Sequence, residues 1–400
     1  MFERLERMPD DPILGLMAAF RADPDTRKVD LGVGVYRNDR GETPVLDAVR
    51  RAEQAVLGRQ TSKTYVAPVG NAGYNQCMER LVFGEGHPTL KAGRLRTIQA
   101  PGGCGALRVG AELIKIAMPE AIIHVSSPTW ANHVPLLTGS GIKLERYPYY
   151  DPATGGVNFS AMMDALDKLP QRAVVLLHGS CHNPTGADLS EQQWRDVLAV
   201  VTKRGLVPYI DMAYQGLGTG IAEDAFGVRL FAAELPEVLV AVSCSKNFGL
   251  YRERVGALHI VSQTTQAADA ILTQLVRIAR TIYSMPPDHG AAIVQEILAN
   301  EGLRGAWLDE VGSMRSRIAG LRSDVVARLK KALPERDFSF IERQRGMFSY
   351  LGVNPDQVRG LRERHHVYMT DDSRINIAGL RADNIGYFAD SVAQVLAGAK

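Results

Sequence analysis

The sequence predicts an α/β fold, with a mostly parallel central sheet in a large domain joined to a smaller α+β domain. Three observations carry that expectation. From about residue 96, short apolar runs of strand length alternate with helical patterns, as they do when strands run parallel with helices on their faces. The run VLVAV at 238–242 is apolar throughout, which suits a strand buried on both faces. The chain has 400 residues, longer than one hydrophobic core usually grows, so at least two domains are expected.

In chain order, an extended arm precedes a short helix over 11–22, and the glycine-rich LGVGVY at 31–36 reads as irregular, with a turn near 38–41. Helical periodicity resumes over 45–57. The loop SKTYVAPVGNAGY follows at 62–74, with Tyr65 exposed. A strand at 96–100 leads through the glycines of 102–105 into a helix from Ala106. Strands at 122–125, 173–177, 206–210 and 238–242 come next, and Ser190 caps a helix over 190–204. Beyond Pro286 and Pro287 the pattern turns helical, with a long segment over 303–332, and 338–395 mixes strands with helices. The expected division is a large domain over 45–312, with 1–44 and 313–400 forming an N-terminal arm and the small domain. No internal repeat or low-complexity linker interrupts it.

Hydrophobic residues make up 46%, charged residues 22%, and the net charge is +2. That balance gives no electrostatic footprint for nucleic acid or a membrane surface. No run approaches the ~20 apolar residues of a membrane span, and charges interrupt the first apolar stretch, so a cytoplasmic protein is expected. Four scattered cysteines form neither a disulfide framework nor a CxxC pair. His178, Cys181 and His182 share one loop, but no fourth ligand accompanies them, so no metal is expected.

The chemistry-bearing residues follow the strands. Trp130, Asn183, Asp211 with Tyr214, and Ser243 with Lys246 lie at or just past four apolar runs. Parallel strands would bring those ends to one edge, where open α/β sheets bind ligands. Lys246 alone could be an exposed loop lysine; in such a crevice its amine can become a nucleophile. Asp211 needs a partner, either an arginine in a structural pair or a cationic ligand atom. The glycines at 102, 103 and 105 are either a plain tight turn or a phosphate cradle at a helix N-terminus. They lack the GxGxxG spacing and downstream acid of a dinucleotide fold. A lysine, an acid and an anion cradle together meet the needs of pyridoxal 5'-phosphate.

With those residues assembled, the chain resembles the class I aminotransferases of pyridoxal-phosphate fold type I, in the aspartate and aromatic amino acid subfamily. PGGCGALRVGA, CHNPTGADL, DMAYQG, SKNFGLYRERVGA, YSMPP, GMFSY and RINIAGL carry the resemblance, in order along nearly the whole chain. It implies that Lys246 is the Schiff-base lysine and proton carrier and that Asp211 pairs with the pyridine nitrogen. Tyr214 and Asn183 would donate to the ring oxygen, and Trp130 would stack on the ring. Arg254, Ser243, Ser245, Gly103, Cys104 and a second protomer's Tyr65 would hold the phosphate. Arg374, with Asn183 and Gly34, would take the substrate α-carboxylate, and Arg280 of that second protomer a distal carboxylate. The implied protein is a homodimer with shared sites, moving the amino group of L-aspartate or L-glutamate to a 2-oxo acid in two half-reactions. The alternative is an aromatic or dual-specificity enzyme: Val35, Arg37 and Thr43 resemble the aspartate type, CHNPTGADL and GMFSY the aromatic type. Two departures bear on the site. Cys104 stands where many relatives have a hydroxyl, and Met285 where many have a polar residue.

Overall fold

The computed structural model describes residues 1–8 and 12–397. Two compact units divide the chain: one comprises Met1–Thr43, Arg317–Arg343 and Met347–Lys400, the other Pro44–Ser316 with Gln344–Gly346. The helix Glu301–Ala332 contains the second boundary, which is why no linker composition marks it.

The larger unit is built on seven strands: β1 (Leu95–Pro101), β2 (Ile122–Ser127), β3 (Lys143–Pro148), β4 (Val174–His178), β5 (Val207–Met212), β6 (Val238–Ser243) and β7 (Val255–Val261). Their order across the sheet is β1-β7-β6-β5-β4-β2-β3. Neighbours from β6 to β3 pair in parallel, whereas β7 runs antiparallel to both β6 and β1. Two reversals restore direction, so β1 runs with the main set. Residues of β5, β6 and β7 are buried without exception, which explains their unbroken apolar character.

The sequence reading located five of these strands to within a few residues. It passed over β3, four of whose six residues are exposed, and β7, whose VGALHIV follows the lysine loop with no helix between. Several helices also escaped it, among them Ala72–Phe83, Phe159–Leu166, Phe226–Glu234 and Thr265–Ile282, and Tyr74, expected in a loop, is buried inside the first. The helix expected at 11–22 runs Pro12–Ala22; Asp11 lies outside the described residues. The segment 31–36 is irregular apart from the neighbouring Val29–Asp30 strand, and Ser190 closes a full capping box with Gln193.

One expectation needs correction. The helix expected from Ala106 begins at Gly102, so the glycines form its first turn rather than a loop before it. β1 runs straight into the helix, and Tyr209 of β5 braces that end by donating its hydroxyl to the carbonyl of Leu107 at 2.8 Å. In the smaller unit, Phe348–Tyr350 pairs antiparallel with Arg374–Asn376, and Val29–Asp30 pairs in parallel with Val367–Tyr368. The helices Pro355–His365 and Ile385–Ala397 accompany them.

Candidate active site

Because β1, β2, β4, β5 and β6 share a direction, the segments that follow them open at one edge of the sheet. β7 runs the other way and starts there, its Val255 opposite Pro101 and its Gly256 opposite Ser243. Gly102–Gly105, Trp130, Asn183, Tyr214, Lys246 and Arg254 therefore belong to one edge. The sheet order reverses between β2 and β4, the topological switch point at which such sheets bind ligands.

Asp211 lies within β5 rather than at its end, and is only 8% exposed. Alternation puts it on the face of Tyr209, the side of the Gly102–Ala117 helix. Its partner is not an arginine. His133, three residues after Trp130, brings Nε2 within 3.1 Å of Asp211 Oδ2. Burial raises the Asp211 carboxyl, but the His133 hydrogen bond, joined by the attraction of His133 and the Lys246 charge, outweighs it and holds it below the ordinary range. A stable anion thus sits beneath the edge.

Thr129 Oγ1 lies 2.8 Å from His133 Nδ1 and 3.2 Å from His178 Nε2, so one hydroxyl ties both rings. Burial, reinforced by repulsion from His133, pushes His178 down to about 3. His182 meets Ser126 Oγ at 3.0 Å and Thr185 Oγ1 at 2.9 Å through its two nitrogens. The histidines of the suspected metal cluster are thereby engaged as neutral rings. Among the described residues no three His, Cys, Asp or Glu side chains are arranged to hold a metal. His133 and Thr129 were missed by the sequence reading; the only signal was their closeness to Trp130 in SSPTWANH.

Lys246 is partly buried, its Nζ 5.0 Å from the centre of the Tyr214 ring. Asn183 Nδ2 donates to Tyr214 Oη at 3.3 Å. The Lys246 loop is fixed from beneath: Trp307 Nε1 donates to the Asn247 carbonyl at 2.8 Å, and Phe248 stacks on the Trp307 ring at 4.5 Å. Trp130 meets His133 edge to face at 5.2 Å.

The anion cradle is equally compact. Ser243 Oγ lies 3.1 Å from Ser245 Oγ, and Arg254 Nη1 donates to Ser245 Oγ at 3.4 Å and to the Tyr251 carbonyl at 3.1 Å. A Cβ on Gly102 would collide with the Arg254 guanidinium, and one on Gly103 would stand 3.1 Å from Ser243 Cβ. No side chain caps this helix, so its first amides and its dipole face the same arginine and serines. The Cys104 thiol takes a long contact of 3.8 Å from Asn132 Nδ2. Cradle, buried anion and lysine suit a ligand with a phosphate at one end and a cationic ring nitrogen at the other.

The remaining expected residues lie on other segments of the chain. Tyr65 is 87% exposed, on a loop whose Val66 N–H donates to Met285 Sδ at 3.3 Å. Arg280, in the last turn of the Thr265–Ile282 helix, bonds Ser284 Oγ and is exposed. In the smaller unit Arg374 is 9% exposed, donates from Nη2 to the Gly32 carbonyl at 2.8 Å, and lies 4.5 Å over the Phe348 ring. Asn376, two residues on, donates to Val33 and Val35, so the segment holding Gly34 is pinned to the strand holding Arg374.

A fold of this kind with a strand-end lysine, a buried acid and an anion cradle defines a class of enzymes that hold a phosphorylated cofactor through a lysine. The chain belongs to the class I and II aminotransferase family, whose model matches residues 26–392. It is similar to an aromatic-amino-acid aminotransferase of Pseudomonas aeruginosa, 48% identical with 99% of each chain covered. It is also similar to an aspartate aminotransferase of the same organism, 44% identical over 99% of this chain and 100% of that one. Among solved structures, the aromatic-amino-acid aminotransferase of Burkholderia pseudomallei, covalently bound to pyridoxal phosphate, superposes with a TM-score of 0.97 at 47% identity, covering 99% of both chains.

Proposed function

We propose that this aminotransferase exchanges the amino group of L-aspartate or L-glutamate with a 2-oxo acid in two half-reactions, using pyridoxal 5'-phosphate. The observation that carries this reading is the grouping of Lys246, Tyr214 and Asn183 over the buried Asp211 anion. The cofactor's ring, once bound, withdraws electrons from the substrate Cα and makes its proton removable. Asp211, kept ionised by His133, holds a proton at the ring nitrogen. Lys246 Nζ would take the Cα proton and deliver it to the cofactor carbon joined to the substrate nitrogen, and Tyr214 and Asn183 would donate to the ring oxygen. Trp130 stacks on the ring. Arg254, Ser243, Ser245 and the amides at Gly103 and Cys104 bind the phosphate, joined by Tyr65 of the partner subunit. Arg374, with Asn183 and the backbone at Gly34, takes the α-carboxylate as a bidentate pair. Arg280 of the partner subunit takes a distal carboxylate.

The homodimer is supported by the exposure of Tyr65 and by the exposed apolar residues Phe2, Leu5 and Met8. A cytoplasmic setting suits the four free cysteines.

A second reading, aromatic or dual specificity, is favoured by the name of the 48% identical relative. The aromatic enzyme of a Psychrobacter, of TM-score 0.97 and 41% identity, was cocrystallised with aspartic acid, so one relative with an aromatic name meets a dicarboxylate. The exposed Arg280 could swing aside for a ring. Arg280→Leu tests the assignment: kcat/KM for L-aspartate should fall about a hundredfold, the scale of a lost charge-assisted pair, and that for L-phenylalanine less than about threefold. Equal losses would remove Arg280 from substrate selection.

A further inference from the structure

Two segments of the larger unit converge on one buried side chain. Gln99 of β1 has no solvent exposure. Its Oε1 accepts from Asn71 N at 2.9 Å, and its own backbone N–H donates to the Val69 carbonyl at 3.0 Å. Its Nε2 donates to the Pro287 carbonyl at 2.6 Å, and its carbonyl accepts from Tyr283 Oη at 3.5 Å. The first two bonds hold the end of the segment that carries Tyr65. The other two hold the turn after the Thr265–Ile282 helix, which carries Arg280.

Neither Tyr65 nor Arg280 is fixed by its own side chain. Both are exposed, and among the described residues Arg280 hydrogen-bonds the nearby Ser284 of its own segment. Their register must therefore come from the backbone beneath them. Only a side-chain amide of this length offers an acceptor to Asn71 and a donor to Pro287 at once; a lysine cannot accept and an ionised glutamate cannot donate. Gly70, at φ +83°, has Gln99 where a Cβ would stand, so the close approach is open only to glycine. Val66 N–H and Met285 Sδ, 3.3 Å apart, form a second tie between the segments.

We propose that Gln99 is a positioning residue for substrate selection, setting Tyr65 and Arg280 at a fixed spacing so that phosphate and distal carboxylate are recognised by one rigid surface. The proposal rests on the roles given above to those two residues. Loosening the clamp should harm a substrate with a distal carboxylate and largely spare one without.

The experiment compares steady-state kinetics of Gln99→Met holoenzyme with wild type at saturating pyridoxal 5'-phosphate, with Arg280→Leu in parallel. In Gln99→Met the KM for L-aspartate should rise about tenfold, the fold-change for a lost buried hydrogen bond, with kcat within about twofold. The KM for L-phenylalanine should change less than about twofold, and the cofactor should be released faster on dialysis. Gln99→Asn, which keeps both functions one methylene short, should show the same selective rise in smaller size. If Arg280→Leu does not discriminate between the substrates, the reading of Arg280 has failed. If it does discriminate, and Gln99→Met raises both KM values alike or neither, the positioning role is overturned. Unfolding of both Gln99 variants would make the residue a requirement for folding and overturn it as well.

Discussion

Asp211 shows how much a single buried charge depends on its neighbours. Alone in β5 it would take up a proton; with His133 at 3.1 Å and the charge of Lys246 nearby it stays an anion. On the proposed chemistry that anion keeps a proton on the ring nitrogen. Asp211→Ala should therefore lower kcat about a thousandfold, the scale on which charge stabilisation in a dry site is lost. The protein should still fold, because what remains is one unpaired His133 nitrogen, at a cost of about 1–3 kcal/mol. Transamination assays with a parallel thermal melt check both halves, and a kcat within tenfold of wild type would count against the role. The sequence made Asp211, Lys246, Asn183 and Tyr214 legible because each follows or closes an apolar run. His133 and Thr129 were not legible: their importance lies in which way one ring and one hydroxyl point after β2, and nothing in SSPTWANH encodes that direction.

At the scale of elements, the edge of the sheet depends on strand direction. Four parallel strands could be read from their apolar runs. The antiparallel β7 could not, since it enters directly from the lysine loop and its length and composition match the others. Its reversal is what brings Arg254 back to the edge, beside Ser245 and Gly102. The helix start was misread for a local reason. Glycines discourage a helix interior, but the first turn makes few intrahelical bonds and here needs close approach by Arg254 and Ser243. The cradle chemistry survives the correction, because the first-turn amides of a helix are the donors a phosphate uses.

For the whole molecule, buried histidines govern the response to acid. Burial pushes His259 from 6.5 to about 3, its Nδ1 held 2.8 Å from Thr97 Oγ1. The unfolded chain takes this proton near 6.5 and the folded chain only near 3, so between those values the unfolded state binds more protons. Stability is then lost as pH falls through that window, by up to about 1.4 kcal/mol per pH unit for each such histidine. His178 acts in the same direction over the same range. Asp211 acts later: its depressed carboxyl contributes stability above 3.8 that is lost only below it. Urea unfolding of His259→Gln between about pH 4 and 6 should show a shallower loss with acid than wild type, by about one histidine's share. An unchanged slope would mean that His259 titrates normally in the folded protein. The changed character of 338–395 is what makes the sequence suggest a smaller α+β domain. One unit boundary, after Ser316, falls inside Glu301–Ala332, where a continuous helix gives the sequence no break in composition to read.

The most direct test of the account is the turnover of Lys246→Ala, reconstituted with pyridoxal 5'-phosphate and mixed with L-aspartate and, separately, L-phenylalanine. The cradle of Arg254, Ser243, Ser245 and the Gly102–Ala117 helix should still hold the cofactor by its phosphate, while transfer from either amino acid slows by about ten-thousandfold for want of the proton carrier. A variant that keeps the cofactor and transfers the amino group at a rate near wild type would take Lys246 out of the centre of the site.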